Sequence, residues 1–224
     1  MNKNIYIKLA AAFVLAVAAI SCQSVEKSQK EEPFKISLDS MFIQIGEIES
    51  RLSPFMGLGK IRDVKIQALY FPVEDAVVLK FRHEATTFHQ CWDRNGRQSY
   101  IEALEKYKEE YKARALVSGS NKTKRNYGLV TGYLIWQQIS IAVRADSNIK
   151  IELGYTFKER TPYFLTNQLA AEYISPISRT YNKSSPVVPM YFTGPQAEKL
   201  AELFNHDFLK TIEPPKPTWQ NYTE

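Results

Sequence analysis

Val64-Lys-Ile-Gln-Ala-Leu-Tyr70 and Val77-Val-Leu-Lys-Phe-Arg-His83, joined by Phe71-Pro-Val-Glu-Asp-Ala76, form the stretch on which the fold reading turns. Both runs are dense in β-branched and aromatic side chains, which suit a pleated surface, and the short joint predicts an antiparallel hairpin. Thr86 to Trp92 continues in extended character.

Working outward, Ser99 with Glu102 reads as a capping box opening a helix, on which Tyr100, Leu104, Tyr107 and Tyr111 share a face. Tyr127 to Arg144 and Ile149 to Lys158 are long β-rich segments, with Ala145-Asp146-Ser147-Asn148 as the turn between them. The residues after Lys158 carry no regular pattern until Val187 to Phe192, a last short strand. Thr193 then reads as an N-cap with Gln196 as its reciprocal partner, and Ala197, Leu200, Ala201, Phe204 and Phe208 make a helical stripe. Towards the N-terminus, Met41, Ile45, Ile48 and Leu52 fall at helical spacing within Ser40 to Leu52, so that segment is predicted helical. Strands and helices that do not alternate predict an α+β fold, an antiparallel sheet with two or three helices packed on one face. Residues 34–212 read as a single domain, and the proline-rich residues 213–224 as a loose tail.

Composition narrows the function classes. The 224 residues are 44% apolar and 24% charged with only 9 Gly and 11 Pro, which excludes collagen-like and disordered chains. Two cysteines exclude a disulfide-stapled scaffold, and a net charge of +5, scattered along the chain, makes no case for nucleic acid as a partner. No glycine-rich phosphate loop follows a strand, which argues against a doubly wound nucleotide-binding sheet.

Residues 1–21 carry Lys3 and Lys8 ahead of an apolar run from Leu9 to Ile20, too short at about 18 Å of helix to cross a roughly 30 Å hydrocarbon core. That anatomy is a secretory signal. Its end, Ala19-Ile20-Ser21-Cys22, resembles the lipobox of bacterial lipoproteins, although Leu is commoner where Ala19 stands. The resemblance implies cleavage before Cys22, acylation of its thiol, and a membrane partner held through that lipid. Two or three acyl chains, at about 0.8 kcal/mol per buried methylene, would anchor it well. Residues 22–33 read as a flexible tether, polar and without apolar periodicity. The expected address is the bacterial cell envelope, at an outer membrane or a periplasmic face. The resemblance covers residues 1–22 alone.

Chemistry-bearing candidates are few. His89 and Cys91, two apart on an extended strand, share a face and could offer nitrogen and sulfur to zinc, with His83 joining after a bend. A metal-dependent hydrolase would be built there. The competing reading is a half-buried strand with Cys91 packed as a small apolar residue. Cys91 as a nucleophile would need a base such as His89 and an oxyanion hole, and no nucleophile motif surrounds it. Among 13 Tyr, 12 Phe and 3 Trp, the side chains Tyr133, Trp136, Tyr155 and Phe157 are candidates for a pocket holding a hydrophobic or carbohydrate ligand, against plain strand packing. Lys122-Thr-Lys124-Arg125 is a basic loop, suited to anionic surfaces or simply solvated. With three histidines and no motif, the expectation is a non-enzymatic binding or interaction module without a cofactor, its partner an envelope protein or a small ligand.

Overall fold

A computed structural model describes residues 34–54, 60–118, 126–138, 143–171 and 184–213. Among them eight strands run up and down in chain order and close on themselves: β1 (Ile43–Leu52), β2 (Arg62–Phe71), β3 (Ala76–His83), β4 (Thr86–Trp92), β5 (Asn126–Gln138), β6 (Val143–Lys158), β7 (Thr161–Gln168) and β8 (Val188–Phe192). Helix α1 (Arg94–Lys112) follows β4, and α2 (Gly194–Phe204) and α3 (His206–Lys210) follow β8. All eight pairings are antiparallel. The hairpin expected from Val64 to His83 is β2–β3, in register from Ile66↔Phe81 to Phe71↔Ala76. Its turn places Asp75 at φ 45°, a left-handed conformation that Asp tolerates better than most residues.

The fold is therefore a closed β-barrel, which overturns the α+β reading of a sheet covered by helices on one face. Two misread strands account for the error. Residues 43–52 are strand β1 rather than helix. Ile48, Ser50 and Leu52 turn inward while Glu47, Glu49 and Arg51 turn out. Positions four apart share a strand face as well as a helix face, so the spacing of Ile48 and Leu52 satisfied both periods. Thr161–Gln168, expected to be irregular, is β7, pairing with β6 on one side and β8 on the other. With β1 and β7 in place both sheet edges find partners, and the inner face is covered by the sheet itself.

The Ala145–Asn148 turn is also corrected. These residues lie inside β6, opposite Trp136 to Tyr133 of β5. Their polarity belongs to a strand face: the Tyr133 hydroxyl donates to Asp146.

The seam that closes the barrel is short, consisting of Arg51↔Tyr191 and Leu52↔Met190. Along the rest of β1, α2 takes over. A Cβ at Gly46 would lie 2.9 Å from Leu203 Cδ1, so Leu203 packs directly over the glycine. In an up-and-down barrel the ends of β2, β4, β6 and β8 share one end, so α1, α2 and α3 all start there. Side chains from this cap enter the lumen: Tyr100 packs edge-on at 5.2 Å from Phe164 and 5.1 Å from Phe204, and Trp92 lies 5.2 Å from Phe204. Polar atoms inside are paired in a chain, Trp92 Nε1 donating to Gln90 Oε1 and Gln90 Nε2 to Gln168 Oε1, both at 3.0 Å. A second apolar cluster lies outside the barrel. Leu69, Phe71, Val78, Cys91, Tyr133 and Ile135 face outward from β2–β5, and the segment Phe34–Leu38 straps across them with Ile36 buried.

Candidate functional site

The cap also builds a trough on the molecular surface. Helix α1 starts five residues before the expected Ser99–Glu102 box: Asp93 is the N-cap, and its Oδ1 accepts from the Gly96 amide at 2.7 Å. A carboxylate there satisfies an orphan donor and meets the positive end of the helix dipole, which outcompetes the later serine. Arg97, Tyr100, Ala103, Leu104 and Tyr107 form its buried face. Tyr111 extends that stripe by one turn, past the rim of the barrel, and is 57% exposed.

Opposite this end of α1 stand Thr161–Pro162 at the start of β7 and Thr193–Gly194–Pro195 at the start of α2, enclosing a half-open hollow of about 450 Å³. A second hollow shares Tyr111, Lys112 and Pro162 with it and continues past Arg114 and Leu116, so the two form one trough. Tyr107 and Tyr111 lie 6.1 Å apart between ring centroids and are tilted by 40°. The Tyr107 hydroxyl donates to the Pro162 carbonyl at 3.4 Å, and burial, with Tyr111 beside it, pushes its pKa up to about 12. It stays neutral at physiological pH. Gln196 Oε1 accepts from the Thr193 amide at 2.9 Å, the reciprocal bond expected for this cap. Lys108 spans the floor between the helices, with Nζ 3.0 Å from Glu105 and 3.1 Å from Glu198. Those hydrogen bonds raise its pKa and keep it charged. Lys112 and Arg114 make no ion pair among the described residues. The trough therefore has aromatic and proline walls, hydroxyls on Tyr111, Thr161 and Thr193, and a basic end.

The residues singled out from sequence lie elsewhere and apart. His83 ends β3 facing the lumen, and its Nε2 donates to the Ser53 carbonyl at 2.9 Å. Burial lowers its pKa. His89 and Cys91 sit on the outer face of β4, sharing a face as expected, but the chain reverses at Glu84–Ala85, so His83 lies on the other side of the sheet. His89 is held neutral with a pKa of about 4, first by burial and then by the Lys80 and Arg144 charges. Cys91 is fully buried under the strap, and burial pushes its thiol pKa up strongly, away from the thiolate a nucleophile needs. Among the described residues no group of three or more His, Cys, Asp or Glu could hold a metal ion.

The aromatic candidates do not converge either. Tyr133 belongs to the outer cluster, whereas Trp136 and Tyr155 belong to the inner one, with Phe157 packed beside Tyr155 at 6.2 Å. Tyr155 lies towards the cap, where its hydroxyl accepts from the Val117 amide at 3.2 Å. Cys22 and the Lys122–Arg125 loop fall outside the described residues. The trough residues escaped because Tyr107 and Tyr111 at i, i+4 looked like an ordinary packed helix face. The usable signal was that the stripe runs to the last turn of α1, beyond what a barrel rim covers.

A family described as "Uncharacterised Treponema protein" matches residues 13–211. The chain belongs to this family. The match starts within the apolar run at the N-terminus and extends past the last helix, so it takes in the whole barrel and its cap. No curated protein and no solved structure matches the chain.

Proposed function

We propose that this chain is an exported envelope protein, anchored through lipid on Cys22, whose barrel is a non-enzymatic binding module. In this reading the cap trough is the binding face. The observation that carries it is the hollow of about 450 Å³ between Tyr107, Tyr111, Pro162 and Pro195, a size suited to specific recognition. The eight-stranded barrel serves as a rigid platform for it. A ligand carried in the lumen is less favoured, because the cap end is filled by Trp92, Tyr100, Phe164 and Phe204 and the candidate aromatics lie on both sides of the sheet. The anchor rests on the lipobox-like Ala19–Cys22 alone.

Two measurements test the reading. Palmitate labelling and membrane fractionation should place the full chain on membranes and release Cys22→Ala. A Cys22→Ala chain that stays bound, with or without globomycin, would overturn the anchor. A photo-crosslinking amino acid at position 111 should capture a ligand or partner in cells, whereas the same group at exposed Leu129 on the barrel wall should not. Equal capture at both positions, or none at position 111, would overturn the binding face.

A further inference from the structure

We infer that the trough is a docking site for an extended acidic peptide segment of a partner protein. The inference rests on the binding-module reading and names the class of partner. Three features of the walls select the occupant.

The first is shape. The trough is half-open, so an occupant keeps part of its surface in water. A lipid acyl chain would leave half its methylenes in water there. An extended peptide directs alternate side chains to one face at a repeat of roughly 6.6 Å, so one of them can pack on the exposed Tyr111 ring while the next on that face reaches further along the trough.

The second is wall chemistry. Glycan recognition requires polar groups to pair with many hydroxyls, since each one buried without a partner is costly. Here the Tyr107 hydroxyl is already committed to Pro162 and Glu198 to Lys108, so the first hollow offers hydroxyls on Tyr111, Thr161 and Thr193 among tyrosine faces, proline rings and lysine stems, too few to pair with the many hydroxyls of a glycan. Aromatic-lined grooves are what extended, proline-containing peptides dock into.

The third is charge. Glu198 is neutralised by Lys108, while Lys112 and Arg114 stand without ion pairs among the described residues where the second hollow begins. The complementary occupant carries Asp or Glu at that end and an apolar residue, proline or aromatic, against Tyr111.

The test is selection of a phage-displayed random peptide library on the purified chain, followed by binding measurements on synthetic copies of the enriched peptides. Enriched sequences should combine acidic residues with proline or aromatics. Their affinity should drop about tenfold or more for Tyr111→Ala, drop similarly for Lys112→Glu/Arg114→Glu, and weaken as salt is raised. All three side chains lie at the helix end on the surface, so circular dichroism and urea midpoints should match the wild type. Enrichment without acidic residues, or binding indifferent to both variants, would overturn the proposal. So would capture of a glycan, a lipid or a second copy of this chain by the crosslinker at position 111, in which case the binding-module reading would still stand. No enriched peptide together with no crosslink at position 111 would remove both.

Discussion

The cluster inside the barrel and the cluster outside it are built from neighbouring residues of the same strands, yet they are covered in different ways. The inner one is closed by the whole molecule: seven strands contribute besides β4, and α1 and α2 drive Tyr100, Leu200 and Phe204 into it. The outer one is closed by a single segment, Phe34–Leu38, laid across β2–β5. Inner coverage is cooperative because removing any one part opens the rest, whereas the strap can in principle lift alone. In sequence the difference is visible as alternation. Strand β1 alternates Ile48, Ser50 and Leu52 with Glu47, Glu49 and Arg51 and has one dry face. Strands β2 and β3 carry the runs Leu69-Tyr-Phe71 and Ala76-Val-Val-Leu79, which are buried on both faces.

The sharpest break of this comparison is Trp92→Ala. It removes a fully buried ring and leaves Gln90 Oε1 without its donor, and should cost about 3–5 kcal/mol in urea unfolding. A loss under about 1 kcal/mol would mean that the cap does not share the inner core. Next, Ile36→Ala should cost only about 1–3 kcal/mol. It should also make Cys91 reactive to a thiol reagent under native conditions, read by peptide mass mapping, while the wild-type thiol stays silent. A Cys91 that remains unreactive in this variant would show that the strap is not its cover.

The smallest effect concerns pH and the outer face of β4. His89 titrates near pH 4 in the fold against about 6.5 when unfolded. Between those values the unfolded chain takes up a proton that the native one refuses, so stability is full above pH 6.5 and falls as pH drops towards 4. The loss should be roughly 1–2 kcal/mol, discounted because the ring is partly exposed to solvent. His83, also lowered, acts in the same direction. His89→Gln should flatten the curve of urea midpoint against pH, and superimposable curves would refute the assignment.

Much of the strand content was legible because it is local. The β2–β3 hairpin, β4 and β8 are dense enough in aromatic and branched residues to be read within one or two positions. Helix α2 was legible from its cap and from Ala197, Leu200, Ala201 and Phe204, whereas Phe208, expected on the same stripe, lies in α3 beyond the break at Asn205 and is exposed. What failed did so where two periods coincide, as at Ile48 and Leu52, or where polar side chains sit on the wet face of a strand, as at Asp146 and Asn148. The trough was not legible at all. It joins α1, β7 and α2, whose lining residues are separated by as many as 91 positions, from Tyr107 to Glu198, and no local pattern reports which rims meet.

The amino-acid sequence by itself determined the β2–β3 hairpin, the strand-rich middle and helix α2, because each depends on residues within a few positions of one another. Tertiary structure alone decided that the sheet closes rather than lying open under helices. Closure depends on β1 meeting β8, an encounter across some 140 residues such as Arg51 with Tyr191. It also decided that His83 and Cys91 face opposite sides, and that Tyr111 is left uncovered beside Pro162 and Pro195. Whether an apolar side chain becomes core or binding surface depends on what else the fold brings to cover it.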